Sequence, residues 1–305
     1  MLQMNMFDMD LGYANDEDFL NPHNLLFPPE ILDAFKNKNP TVLLSISGGK
    51  DSNAMVFTVV DTIKQNNWNC AIELIHADLG AAEHPMTANY IEEFRRYVDL
   101  PLNIALRYTL EGKRQDLVEQ IEERAKSDKI PFPDSNNQWC TSDNKRGPLD
   151  RLVTPHEGIV IMAMGMRAEE STRRSKMACC RIRPSKKPTK KRTTYDWLPL
   201  HNYTEINVWN VINQFGGHYH PMYKKEETHT GLGNNRLSCA LCILADKNDL
   251  KNGAYSNPET YRRYCKVELD TGFTFRKGFW LCSVAPELLD DNDQKRYQEV
   301  IKNDI

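Results

Sequence analysis

The chain has no apolar run long enough to span a bilayer. Its longest, around Gly158–Met166, falls far short of the roughly 20 residues such a span needs. It has no GxxxxGK[ST] phosphate loop, no second CxxC and no internal repeat. Neither sign of charge dominates: 39 basic residues face 42 acidic ones, for a net charge of −3. That balance excludes a wholly basic nucleic-acid binder, and 40% apolar residues in a chain of 305 argue against bulk disorder. The N-terminus, MLQMNMFDMD, lacks the cationic start of a secretory signal, so a cytoplasmic location without a membrane is expected. The eight cysteines would then be reduced, and close spacings among them point to metal or sulfur chemistry rather than disulfides.

What is present divides into three parts. Residues 1–40 are acidic and Asn-rich and read as an appended segment, with Pro28-Pro29 opening a short helix over Glu30–Lys36. Residues 41–215 alternate short apolar strands with amphipathic helices. Strands are predicted over Thr41–Ser45, Cys70–His76, Leu102–Tyr108 and Gly158–Met164, and helices over Ser52–Lys64, Pro85–Val98 and Gln115–Ser127. The last of these strands is apolar throughout, as when both faces of a sheet are covered. This alternation predicts an α/β fold: a parallel sheet with right-handed crossovers and helices on both faces. Residues 216–305 form an irregular cysteine-containing and helical module, with closing helices over Pro258–Leu269 and Glu287–Lys302.

The sharpest local signal is Ser47-Gly48-Gly49-Lys50-Asp51-Ser52, between the first strand and the first helix of that alternation. Two glycines let the backbone approach an anion, the helix N-terminus offers free N–H groups, and Lys50, Ser47 and Ser52 add donors. Lys50 is expected to be exposed there, so that Lys50→Ala would remove turnover and leave the fold intact.

SGGKDS in this position resembles the PP-loop of the ATP pyrophosphatase (adenine nucleotide α-hydrolase-like) superfamily. Further segments are similar to its phosphoadenosine phosphosulfate (PAPS) reductase-type members: Ile75–Gly80 (IHADLG), Trp139-Cys140-Thr141 with Lys145 and Pro148, Gly165–Arg174 (GMRAEESTRR), Trp197–Leu200 with Val208-Trp209, and Pro221-Met222-Tyr223. The resemblance implies ATP and Mg²⁺ as ligands, with Ser47, Gly48, Gly49, Lys50, Asp51 and Ser52 around the phosphates. It places His76 and Asp78 beside the nucleotide, with Gly165, Arg167, Glu170, Ser171 and Arg174 completing the site. Lys50, Asp51 and Arg167 are the implied catalytic residues, Arg167 facing the phosphate or transferred group. Self-association is left open.

Cys239-Ala240-Leu241-Cys242 lies in a polar, turn-rich setting, where two thiolates can converge on a metal or form a redox pair. The run GNNRLSCALC resembles the cysteine segment of PP-loop sulfur-transfer proteins of the DNA phosphorothioation type, although it lacks the glycine often found before the first cysteine. Such proteins, and the adenosine phosphosulfate reductases, add an upstream cysteine to hold an iron–sulfur cluster, and Cys140 matches it here. The resemblance thus implies Cys140, Cys239 and Cys242 as ligands of a [4Fe-4S] cluster, with a cysteine desulfurase as sulfur donor. Cys265, Cys282 and the tandem Cys179-Cys180 compete as fourth ligand. Zinc and a persulfide-carrying site are the alternatives, and Cys70 is read as core.

Between Glu170 and Asp196 there is no acidic residue, while ten basic ones fall between Arg173 and Arg192. With Pro184 and Pro188 interrupting any helix, this window predicts a mobile basic loop suited to a DNA or tRNA backbone. The leading function is an ATP pyrophosphatase that adenylates an acceptor for sulfur transfer, with DNA phosphorothioate modification preferred. The alternatives are a thiol-dependent PAPS or adenosine phosphosulfate reductase, and a non-catalytic nucleotide sensor of a defence or phage complex. Against the reductase, the chain lacks the C-terminal Glu-Cys-Gly-Leu-His type of segment.

Overall fold

The computed structural model describes residues 19–127 and 129–303; the first eighteen residues of the predicted appended segment lie outside them. The chain runs α1 (Pro29–Asn37), β1 (Thr41–Ile46), α2 (Lys50–Gln65), β2 (Ala71–Ala77), α3 (Thr87–Val98), β3 (Leu102–Ala105), α4 (Leu117–Ala125). It continues through α5 (Trp139–Thr141), a π turn, α6 (Gly147–Val153), β4 (Gly158–Met164), α7 (Thr172–Ser175), β5 (Cys180–Ile182), β6 (Arg192–Trp197) and α8 (Glu205–Gln214). The helices α9 (Lys247–Ser256), α10 (Pro258–Thr271) and α11 (Asp291–Asn303) follow. Among the described residues no helix is long and apolar enough to cross a membrane.

The strands form one six-stranded sheet in the order β3-β2-β1-β4-β6-β5. β4 pairs in parallel with β1 (Leu43 opposite Met162) and with β6 (Val160 opposite Thr194). Val160, Ile161, Met162 and Ala163 are all fully buried, which is why β4 is apolar without alternation. The chain leaves β1 towards β3 and returns at β4, so strand order reverses between β1 and β4. In open α/β sheets such a reversal leaves a crevice at the carboxyl ends of the two strands.

The basic window is not a loop throughout. β5 and β6 pair antiparallel, with Arg181 opposite Asp196, and make the sheet's edge. The buried Asp196 carboxylate pairs with Arg183 at 2.6 Å and Arg181 at 3.2 Å, closing the hairpin's base. Lys187 and Lys190 stand exposed at its tip. Two shorter differences concern the other edge, where the third strand ends at Ala105 rather than Tyr108, and the segment 217–257, which contains α9. α9 carries two asparagines and a glycine, so no apolar stripe announces it; its start is fixed by Asp246, whose side chain accepts the Asp249 N–H.

Two compact units can be described separately. One comprises residues up to Ile46, Asp51–Leu74 and Pro155–Gly217; the other comprises Ser47–Lys50, Ile75–Thr154 and the chain from His218. The core of the second joins Leu117, Val118 and Ile121 of α4 to Tyr261, Tyr264 and Cys265 of α10, with Leu250 and Ala254 of α9. Asp116 caps α4 in a reciprocal box with Glu119, and Asn257 caps α10, whose first residue is Pro258.

Candidate functional site

In the second unit, Gly48 takes φ +76°, a conformation costly for any residue with a Cβ. A Cβ there would also stand 3.2 Å from Leu237 and 3.4 Å from His220 and Tyr90. Gly49 has ordinary backbone, and a Cβ would come no closer than 3.4 Å to any neighbour outside the adjoining residues. The fold of the loop therefore requires glycine at 48, whereas at 49 the missing side chain leaves room for something to approach. Burial holds His220 down to about 3 and His84 down to about 4, so both rings are neutral at physiological pH.

Lys50 is buried, only 3% exposed, which corrects the expectation of an exposed loop lysine. Its backbone N–H is donated to the Tyr223 hydroxyl at 3.1 Å, and its ammonium to the Asn235 carbonyl at 3.2 Å. The reason is that the segment following Tyr223 folds back onto the loop: Leu237 N–H also bonds the Tyr223 hydroxyl, at 3.0 Å. Substituting Lys50 would therefore disturb packing as well as charge. Asp78 accepts Gly80 N–H at 2.7 Å and pairs with Arg114 at 3.0 Å, and the His76 ring lies 3.4 Å from the Glu83 carboxylate.

In the first unit, the end of β4 lies against the start of α2. A Cβ on Gly165 would approach the Asp51 carbonyl oxygen to 2.5 Å, so no other residue fits without moving backbone. Arg167 is 3% exposed, and its guanidinium bonds the Asp51 and Glu169 carboxylates, each at 2.5 Å. Burial opposes its charge, but these carboxylates more than offset the penalty and raise its pKa. Glu170 accepts the Arg167 N–H at 2.9 Å and pairs with Arg174, while Ser171 caps α7 by accepting the Arg174 N–H. These contacts knit the segment together through its own carboxylates. Ser52 is buried in the first turns of α2.

The second unit also gathers Cys140, Cys239 and Cys242, all half-buried and packed against its core. Burial pushes the Cys140 and Cys239 thiols up; the Lys145 ammonium opposes this, and the potential charge of the neighbouring thiols reinforces it. Lys145 feels all three sulfurs and Glu83, and these outweigh its own desolvation to raise its pKa. The CxxC loop is anchored by Ala240 N–H to the Ala82 carbonyl at 2.9 Å and by Arg276 to the Cys242 carbonyl at 3.1 Å. Gly253 of α9 permits the fit, since a Cβ there would sit 1.8 Å from the Ala240 carbonyl oxygen. The ligand atoms of these three do not all lie within 4.8 Å of one another, so as placed they do not close on a single ion; the soft donor set is of the kind that a larger thiophilic cluster takes.

Of the competing fourth ligands, Cys265 and Cys282 belong to another arrangement. With the Glu268 carboxylate they form a fully buried group whose ligand atoms lie within 4.8 Å of one another. Glu268 accepts N–H bonds from Phe275, Leu281 and Cys282, so it pins the chain after α10 to that helix. Cys180 opens β5 in the first unit, and Cys70 is half-buried just before β2. Sequence reasoning missed Tyr223's two bonds, Gly253 and Asn235. The only linear cue to Tyr223 was its place in the Pro-x-Tyr segment, and nothing local marks the other two.

Residues 41–268 match the phosphoadenosine phosphosulfate reductase domain. The chain belongs to that family. It is 24% identical over 271 residues to an uncharacterized protein of Methanocaldococcus jannaschii, covering 88% of this chain and 57% of that protein. The chain thus spans little more than half the length of that curated relative. Among solved structures it resembles the U34-tRNA thiolase NcsA of Methanococcus maripaludis with its [4Fe-4S] cluster, at 15% identity and TM-score 0.43, covering 78% of this chain and 73% of that one. It also resembles the Candida glabrata FMN adenylyltransferase bound to FMN and an ATP analogue, at 13% identity and TM-score 0.37, covering 65% and 53%.

Proposed function

We propose that this PAPS reductase-family protein is an ATP pyrophosphatase that adenylates an acceptor oxygen for replacement by sulfur, the acceptor being a DNA backbone phosphate. The observation that carries the reading is in the second unit. The loop Ser47–Lys50 is hydrogen-bonded to the segment that leads into Cys239 and Cys242, and these cysteines share Lys145 with Cys140. A phosphate-binding loop and a thiol centre are thereby joined by a few residues of chain.

In this reading Ser47, Gly48, Gly49, Lys50 and Ser52 hold the phosphates of MgATP, with His76 and Asp78 beside the nucleotide. The acceptor oxygen attacks the α-phosphorus and pyrophosphate departs. Lys50 and the N-terminal amides of α2 stabilise the developing charge. Asp51 keeps the Arg167 guanidinium in place beside the β4 end, where Gly165, Glu170, Ser171 and Arg174 shape its loop. Cys140, Cys239 and Cys242 would hold an iron–sulfur cluster or zinc, and a bound cluster would supply the sulfur relayed from a desulfurase. The exposed lysines of the β5–β6 tip contact the polyanionic acceptor.

A PAPS or adenosine phosphosulfate reductase is the second reading, favoured by the family match itself. Cys282 is fully buried and hydrogen-bonded to Glu268 at 3.3 Å, so that thiol is not exposed for a thiol-dependent reduction. The test is an anaerobic turnover assay with α-labelled ATP, a sulfide or persulfide donor and duplex DNA, tRNA or no acceptor, alongside labelled PAPS with a dithiol reductant. Pyrophosphate and AMP formed in step with DNA support the proposal. Stimulation by tRNA alone transfers the acceptor to tRNA, sulfite from PAPS installs the reductase, and nucleotide binding without turnover leaves a sensor.

A further inference from the structure

The phenol of Tyr223 stands where two stretches of backbone meet. Its oxygen accepts N–H bonds from Lys50, in the glycine loop, and from Leu237, two residues before Cys239. Two acceptor lone pairs are thus used, and the hydroxyl keeps only its proton to donate. Lys50 also reaches past the ring, with its nitrogen 5.5 Å from the ring centroid, to the Asn235 carbonyl. Gly233, at φ +76°, is pressed against Tyr223 as well; a Cβ there would lie 2.5 Å from the Tyr223 carbonyl oxygen. The segment 233–237 therefore rests on Tyr223 at both ends and supplies Lys50 with its carbonyl partner.

That partner is a neutral oxygen, and an ammonium bonds a phosphate oxygen about twice as strongly as a neutral acceptor. A phosphate entering the loop competes for the Lys50 ammonium and for the Lys50 N–H at the start of α2. Loss of the ammonium bond frees the Asn235 carbonyl, and loss of the N–H bond frees from the glycine loop the Tyr223 hydroxyl on which Leu237 rests. Residues 234–236 keep other ties: Asn234 N–H to the Met222 carbonyl at 2.7 Å, Asn235 N–H to Asp249 at 2.9 Å, the Asn235 amide to Asp246 at 2.6 Å and Arg236 N–H to Asp249 at 3.4 Å. The segment would be loosened at its Cys239 end and kept at its Gly233 end.

We propose that Tyr223 is a positioning residue that relays phosphate occupancy of the Ser47–Lys50 loop to the Cys239–Cys242 loop: a ligand that takes the Lys50 N–H releases the Tyr223 hydroxyl from the loop, and with it the Leu237 N–H that leads into Cys239. The proposal rests on the reading of that loop as a phosphate site. Coupling of this kind is reciprocal, so a change at Cys239 and Cys242 alters affinity for the phosphate ligand by the same factor.

The test uses the full chain, metal-free and anaerobic, with MgATP or magnesium pyrophosphate as probe. The alkylation rates of Cys239 and Cys242 are read by mass spectrometry, with Cys70 as internal control. Amide exchange over 233–243 and the calorimetric dissociation constant are measured in parallel. Saturating MgATP should change alkylation at Cys239 and Cys242 by about fivefold or more, with Cys70 unchanged. In Tyr223→Phe this ratio should shrink to near one, while ligand-free exchange at Leu237 accelerates. A merely structural tyrosine would slow or speed all rates and leave the ratio intact, which overturns the relay. The wild-type exchange measurement needs no variant: MgATP binding without a change over 235–239 overturns the relay alone. Failure of MgATP and pyrophosphate to bind overturns the relay together with the phosphate-site reading.

Discussion

Arg167 and Lys145 are each surrounded by acids, but the acids are of different kinds. Around Arg167 stand two carboxylates at 2.5 Å, and they raise its pKa in spite of its burial. Around Lys145 stand three thiols and the Glu83 carboxylate, and burial raises Cys140 and Cys239 in spite of the ammonium beside them. One centre is closed: its guanidinium is bonded to carboxylates on both α2 and the segment after β4, and so holds the end of β4 against α2. The other is open in the reading proposed above: burial disfavours the Cys140 and Cys239 thiolates, and a bound metal or cluster would supply the charge that favours them. The contrast is between a cation held by carboxylates at hydrogen-bond distance and one whose neighbours are mostly thiols.

The largest expected effect breaks the closed centre. Asp51→Ala leaves Arg167 buried with Glu169 and the Tyr203 carbonyl, and should cost about 3 kcal/mol in urea unfolding. Because a buried pair is dearest when half-removed, Asp51→Ala combined with Arg167→Met should be less destabilised than the sum of the two. Additive losses would mean that the pair is not a unit.

Next comes the scaffold of the open centre. Gly253→Ala forces a methyl group into the Ala240 carbonyl and should cost about 2 kcal/mol, the usual toll of overpacking. Its sharper signature is functional: metal uptake at the cysteines should fall, whereas Asp51→Ala should spare it. Equal uptake in the two variants would remove the assigned role of α9.

A smaller effect sharpens the electrostatics. Lys145 favours the thiolate forms, so Lys145→Met raises the thiol pKa values further and slows alkylation of Cys239 and Cys140 at fixed pH. A shift of one pKa unit would be about tenfold in rate below the thiol pKa. The rate against pH should move to higher pH, not lower. A profile shifted downward would place Lys145 elsewhere in the energetics.

The smallest effect on stability concerns the same closed and open distinction within the hairpin. Asp196 closes its base by pairing Arg181 and Arg183, whereas the tip offers lysines to solvent. Replacing Lys186, Lys187, Lys190 and Lys191 by Ser should change stability by under about 0.5 kcal/mol per site. It should flatten the log–log salt dependence of duplex binding by about 0.9 for each DNA phosphate no longer neutralised. An unchanged slope would show that the tip carries no acceptor affinity.

Much of this architecture was legible because it is local. The apolar run of β4, the glycine pair after β1 and the capped helix at Pro258 each carry their cause within a few residues. The hairpin was not legible, since its strands depend on Asp196 meeting Arg181 and Arg183 across the pair, a relation that no period reveals. Lys50 was misjudged for a similar reason: its burial comes from Tyr223 and Asn235, far along the chain. The cysteines could be nominated from spacing and resemblance. The cation that sets their chemistry, and the glycine that seats their loop, become visible only when 140–145, 239–242 and 253 are brought together.

The open centre is the feature on which the proposed chemistry depends, and metal analysis tests it most directly. Protein purified anaerobically, with iron, acid-labile sulfide and zinc measured on the wild type, Cys140→Ser and Cys239→Ser, gives the decision. Iron with sulfide, or zinc, should be present in the wild type and clearly lost in both variants, with the Asp51→Ala protein retaining its load. Wild-type protein that carries neither and takes up neither on reconstitution would contradict the assignment of these cysteines as a metal or cluster site.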